Sequence, residues 1–107
     1  MDSSSHLFVL GVNHKTAPVS VREQLSFSGS QLKEALGHLT SREGIEGGII
    51  LSTCNRSEIY VSSNSSSFVR NSLEEFFSEV QSVNLSELSP FLYCFENHDA
   101  VNHLYRV

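Results

Sequence analysis

Apolar positions along the chain alternate between strand-like runs and helix-like stripes. Leu7-Phe8-Val9-Leu10-Gly11-Val12 is an unbroken apolar run and predicts a buried strand. A polar loop, Asn13 to Pro18, follows, and Pro18 suits the first position of a short helix through Val21, Arg22 and Leu25. Ser28 and Gln31 have the spacing of a capping box, and behind them Leu32, Ala35, Leu36 and Leu39 repeat as one buried helical face. Gly44 is placed to close that helix in a left-handed conformation. Gly48–Leu51 and Glu58–Val61 read as the second and third strands, joined by the tight connection Thr53–Ser57. Beyond a serine-rich turn, Ser62–Ser67, the positions Val69, Leu73, Phe76, Phe77 and Val80 mark another helix. Phe91–Phe95 gives a fourth strand, and a last helix opens near Asp99 with Ala100, Val101, Leu104 and Val107 on one face.

The order β-α-β-β-α-β predicts an α+β domain: a ferredoxin-like fold with a four-stranded antiparallel sheet and a trailing helix. Residues 1–6 are polar and expected to be disordered, 7–97 form the domain, and 98–107 begin a helix expected to continue into a longer protein. In this topology the loop after the first strand and the hairpin between the second and third lie at one edge. His14 and Lys15 should therefore neighbour Cys54 and Arg56.

Composition narrows the partners. The 107 residues suit one domain, and a net charge of −5 with scattered basic residues does not fit a surface gripping many phosphates. No apolar run is long enough for a membrane span and no signal peptide opens the chain, so a cytoplasmic location is expected. Cys54 and Cys94 lack C-x-x-C spacing and the histidines lack H-E-x-x-H spacing, so no metal site is expected. Neither a G-x-G-x-x-G nor a Walker motif is present, which leaves this chain without means of holding a dinucleotide.

The stretch GIILSTCNRSEIY concentrates the candidate chemistry. A thiolate is a strong nucleophile, and nearby positive charge favours it, so Cys54 beside Arg56 fits an activated thiol. Free cysteine is also among the most buried residue types, and the pattern alone leaves both readings open. Arg56 could hold a carboxylate bidentately or make a surface salt bridge to Glu58. Cys94, inside an apolar strand, reads as core. His103, on the last helix, is either a general acid–base or merely solvated.

Three separated stretches go further. Gly11-Val12-Asn13-His14-Lys15-Thr16-Ala17-Pro18-Val19 with Arg22-Glu23, then Leu51-Ser52-Thr53-Cys54-Asn55-Arg56 with Glu58-Ile59-Tyr60, and Asp99 through Val107 resemble the front of glutamyl-tRNA reductase. The resemblance runs from about Leu7 to the last residue. It implies NADPH-dependent reduction of glutamyl-tRNA(Glu) to glutamate-1-semialdehyde, in tetrapyrrole biosynthesis. It implies Cys54 as the nucleophile that forms a thioester, Arg56 as the clamp on the substrate carboxylate, and Thr53 and Asn55 as substrate-binding helpers. It places His103 on the family's active-site histidine, and His14 and Lys15 in a loop near the site. It also implies that NADPH is held outside this chain, that the full-length protein is a homodimer, and that glutamate-1-semialdehyde aminomutase is a possible partner. The rival reading is a non-catalytic ferredoxin-like module that binds protein or RNA through Phe8, Tyr60, Tyr93 or Phe95.

Topology and resemblance pull apart at His103. A five-residue fourth strand covers roughly 17 Å, and five residues of helix return only about 7.5 Å. On that arithmetic His103 falls short of the hairpin.

Overall fold

A computed structural model describes residues 6–64 and 69–105. The strands are β1 (His6–Asn13), β2 (Ile45–Ser52), β3 (Arg56–Ser63) and β4 (Tyr93–Glu96). The helices are α1 (Val19–Leu25), α2 (Gly29–Thr40), α3 (Val69–Gln81), the single turn α4 (Leu85–Leu88) and α5 (Asn97–Tyr105). All pairings are antiparallel, and the strand order β2-β3-β1-β4 is the ferredoxin-like arrangement expected from the sequence.

Period-two alternation along β1 and β3 sorts the side chains onto two faces. Phe8, Leu10, Val12, Ile59 and Val61 meet Leu25, Leu39, Leu73, Phe76 and Phe77 from the helices in the main core. Residues of the opposite phase, Val9 and Tyr60, pack with Ala100 of α5 in a second, smaller cluster. β1 is therefore covered on both sides, which is why it reads as a continuous apolar run rather than an alternating one.

The capping box of α2 is present: the Ser28 N–H donates to Gln31 Oε1 at 2.9 Å. Several boundaries differ from the sequence reading. His6, expected to be frayed, belongs to β1 and pairs with Ser63; residues 1–5 lie outside the described set, as do 65–67 of the serine-rich turn and Val107. α2 ends at Thr40 with Ser41 as its cap, so Gly44 (φ 85°) serves the turn into β2, where its missing Cβ admits the left-handed conformation. Leu36 is exposed, because α2 turns only Ala35 and Leu39 fully into the core. Phe91 lies in a 3₁₀ turn (Ser89–Phe91) led by Pro90, and β4 starts only at Tyr93.

The junction between β4 and α5 matters most for the site. Asn97 adopts φ 49°, and its side-chain Oδ1 accepts from the Leu7 N–H at 3.0 Å. A left-handed asparagine reverses the chain with no intervening loop. α5 thereby folds back over the face of the sheet that α1, α2 and α3 leave open. From Asn97 to His103 the helix climbs about 9 Å, close to the roughly 10 Å that β4 covers. His103 consequently stands over Tyr93, with ring centroids 5.1 Å apart.

Candidate functional site

The β2–β3 hairpin carries the predicted thiol, and local bonds fix its shape. Thr53 Oγ1 accepts from the N–H groups of Asn55 (3.2 Å) and Arg56 (3.3 Å), and the Thr53 N–H donates to the Arg56 carbonyl at 2.8 Å. A threonine that turns back on its own backbone suits a tight reversal. Both stems are anchored to the segment around the start of α2. Ser52 Oγ accepts from the Phe27 N–H at 2.9 Å, and the buried Ser57 hydroxyl donates to the Leu25 carbonyl at 2.7 Å. Thr53, Cys54 and Asn55 are exposed at the tip. Beside them lies a shallow depression of about 280 Å³, lined also by Val19, Arg22, Glu23 and Ser26.

Arg56 points elsewhere. Its guanidinium pairs with Glu58 at 3.4 Å, and Glu58 is completely buried. The surface salt bridge considered from sequence is thus a bridge to a buried carboxylate. Two charges removed from water in this way stay favourable only if their remaining hydrogen-bonding capacity is also met. For the Glu58 carboxylate it is met fully. Glu58 Oε1 accepts from Arg56 and from the Tyr60 hydroxyl (2.9 Å); Oε2 accepts from the Tyr93 hydroxyl (2.5 Å) and pairs with His103 Nε2. Burial, reinforced by the Glu58 carboxylate, pushes both tyrosine hydroxyls well above their ordinary range, so they remain donors.

Gly11 makes room for this network. It pairs with Glu58 across β1 and β3, and a Cβ there would come within 2.5 Å of the Ser57 carbonyl and 2.8 Å of Glu58 Cα and Cγ. Any side chain at position 11 would push the two strands apart.

The sequence-predicted residues therefore divide. Thr53, Cys54 and Asn55 share the exposed tip, while Arg56 and His103 meet through Glu58 on the open face of the sheet. Among the described residues no hydrogen bond or ion pair joins His103 to Cys54. Asn13 is the register partner of Arg56, which brings the β1–α1 loop to the hairpin's edge as the topology predicted. His14 and Lys15 are exposed there, in a turn shaped by Asn13 Oδ1, which accepts from the Lys15 N–H at 2.9 Å.

The sequence reading gives Glu58, Tyr60, Tyr93 and Arg22 no place in the thiol-centred site, though Tyr60 and Tyr93 enter the rival reading and Glu58 enters as a surface partner for Arg56. The available signal was phase: Arg56, Glu58 and Tyr60 alternate with the core residues Ile59 and Val61, so they share one face. Arg22 reaches the hairpin from α1 and donates to the Cys54 carbonyl at 3.4 Å. Of the aromatics in the rival reading, none is fully exposed. Phe8 and Tyr60 are buried, and Tyr93 and Phe95, stacked at 5.4 Å, both lie against His103. Cys94 is half-buried against the main core, and burial raises its thiol pKa. Among the described residues no three His, Cys, Asp or Glu side chains group as metal ligands, and no helix is long and apolar enough to cross a membrane.

Strand order and helix placement define an α+β domain of the ferredoxin-like type. A model of the glutamyl-tRNA(Glu) reductase N-terminal domain matches residues 10–107. The glutamyl-tRNA reductase of Carboxydothermus hydrogenoformans is 47% identical over 102 residues, which cover 95% of this chain and 23% of that protein. The chain belongs to the glutamyl-tRNA reductase family and corresponds to its N-terminal domain. It spans about a quarter of the length of that relative. Among solved structures, a dimeric ferredoxin-like protein from an uncultured marine organism aligns with 90% of this chain and 88% of its own, with a TM-score of 0.40 and 16% identity. The fold assignment rests on the strand order alone.

Proposed function

We propose that this domain takes the glutamyl group from glutamyl-tRNA onto Cys54. The observation that carries the reading is the exposed Cys54 on a pinned hairpin, two residues from an arginine, in a chain of this family. The thiolate sulfur attacks the ester carbonyl, a C–S bond forms and the C–O bond to the terminal ribose breaks. The ribose oxygen leaves with a proton, and a thioester remains on Cys54. Oxidation states are unchanged in this step.

Arg56 binds the free side-chain carboxylate of the glutamyl group, helped by Thr53 and Asn55. His103 serves the same end of the site through Glu58, and His14 and Lys15 form its rim. A thioester accepts hydride more readily than an oxygen ester, and its reduction yields glutamate-1-semialdehyde for tetrapyrrole synthesis. Among the described residues no strand leads into a glycine-rich turn and helix that would receive the pyrophosphate of NADPH. The proposal therefore assigns NADPH to residues outside this chain, and takes the full-length protein as a homodimer that can hand its aldehyde to glutamate-1-semialdehyde aminomutase.

Intact-protein mass spectrometry of the full-length protein, mixed with glutamyl-tRNA in the absence of NADPH, tests the reading. A glutamyl adduct that maps to Cys54 and is removed by hydroxylamine is expected. An adduct on Cys94, or none, would overturn it.

A further inference from the structure

Arg22 differs from the other described arginines. Arg42 pairs with Glu75 and Glu79, Arg56 with Glu58, and Arg70 with Glu74. Arg22 has no carboxylate within 4.0 Å among the described residues. It is half-buried, and its hydrogen bonds run to neutral carbonyls: Nη1 donates to Ala17 at 2.8 Å and Nε to Cys54 at 3.4 Å. A guanidinium has five N–H donors, so three remain for another acceptor. The same side chain lines the depression that holds Thr53, Cys54 and Asn55. A partly desolvated cation without a counter-charge, fixed at the rim of that depression, is a prepared site for an anion.

Two anions accompany the substrate proposed above, and they sit on opposite sides of the reacting ester. The glutamyl carboxylate belongs with Arg56, on the open face of the sheet. The polynucleotide must leave on the other side. Arg22 comes from α1, in the helical layer, and so reaches Cys54 from the side opposite Arg56.

We propose that Arg22 holds a phosphodiester of the substrate's single-stranded acceptor end while Cys54 attacks the ester. The inference rests on the acyl-transfer reading and deepens it. With a net charge of −5 the domain offers little general attraction to a polyanion, so one well-placed cation carries much of the local contact.

The test compares Arg22→Gln with Arg22→Lys in the full-length protein. Both lose the fork to the two carbonyls, but only Arg22→Gln loses the charge. Acylation of Cys54 by glutamyl-tRNA is followed at several KCl concentrations, and the slope of log KM against log salt is read. Arg22→Gln is expected to raise KM about tenfold at low salt and to flatten the slope by about 0.7, one single-strand phosphate contact. Arg22→Lys should keep the slope. A glutamate ester without tRNA should not separate the two variants.

Slopes equal to wild type in both variants would overturn the proposal. So would a loss in Arg22→Gln that is equally large with the small glutamate ester, which would make Arg22 a carboxylate clamp or a tether only. Phenylglyoxal labelling of the wild-type protein gives a measure that needs no variant. Uncharged tRNA should protect Arg22, and unaltered labelling under saturating tRNA would count against the contact. Wild-type protein that binds uncharged tRNA with Arg22 protected but is never acylated would instead overturn the acyl-transfer reading and leave the phosphate contact standing.

Discussion

The two ends of one hairpin residue run, Thr53–Asn55 and Arg56–Tyr60, are built on opposite terms. At the tip, polar side chains are exposed and the thiol is free. Three residues beyond Asn55, Glu58 is sealed from solvent and all its acceptor positions are used. The first arrangement suits a group that must meet a substrate. The second fixes Arg56 and His103 relative to each other, because both lean on the same carboxylate. An exposed thiol and a sealed carboxylate thus lie four residues apart.

Substitution at the two ends should break the comparison differently. Cys54→Ala in the full-length protein is expected to abolish semialdehyde formation, at least about a thousandfold, yet leave the thermal unfolding midpoint nearly unmoved because the side chain is exposed. Glu58→Gln should, unlike Cys54→Ala, lower stability itself. Removing one partner of a buried ionic network costs about 3 kcal/mol or more, readable by urea unfolding. A Glu58→Gln variant as stable as wild type would show that the network does not hold the sheet's open face together.

Thiol chemistry gives a smaller contrast. Iodoacetamide at neutral pH should label exposed Cys54 about tenfold faster than half-buried Cys94. Equal rates would remove the distinction between the tip and the core strand. The smallest effect belongs to Tyr93→Phe, which deletes one donor to the Glu58 carboxylate and should cost about 2 kcal/mol. Its sign with pH is fixed by the raised hydroxyl of Tyr93. That contribution is complete below the ordinary tyrosine value of about 10 and is lost as pH rises through the higher folded value. Wild-type stability should therefore fall more steeply above pH 10 than that of Tyr93→Phe, whereas parallel curves would mean that Tyr93 is not buried beside Glu58.

The fold was largely legible because its signals are local. Alternation along β1 and β3, the capping box at Ser28, and the stripe Val69-Leu73-Phe76-Phe77 each specify an element without reference to the rest of the chain. What the sequence hid depends on one long-range event, the return of α5. Nothing local announces that Asn97 will turn left-handed, so the last helix was started at Asp99 and His103 was left short. Without α5 in place, the open face of the sheet reads as solvated, and Glu58 as a surface partner for Arg56. Cys54 was ambiguous for a different reason: exposure of a small residue at a turn leaves no periodic trace. Arg22 was visible only as part of a motif, since its reach across from α1 to the hairpin is tertiary.

The bond from Leu7 to Asn97 carries a consequence for the order of events during synthesis. Among the described elements β1 emerges first from the ribosome, and the imidazole that completes Glu58 comes with the last of them, α5. Until that helix arrives, Val9 and Tyr60 lack Ala100 and Glu58 lacks His103, whereas Tyr93 comes earlier, with β4. The hairpin that presents Cys54 can be pinned by Leu25 and Phe27 well before then. A nascent chain would therefore own its exposed thiol before it owns the completed cluster around Arg56, and a stalled translation product would display the one without the other.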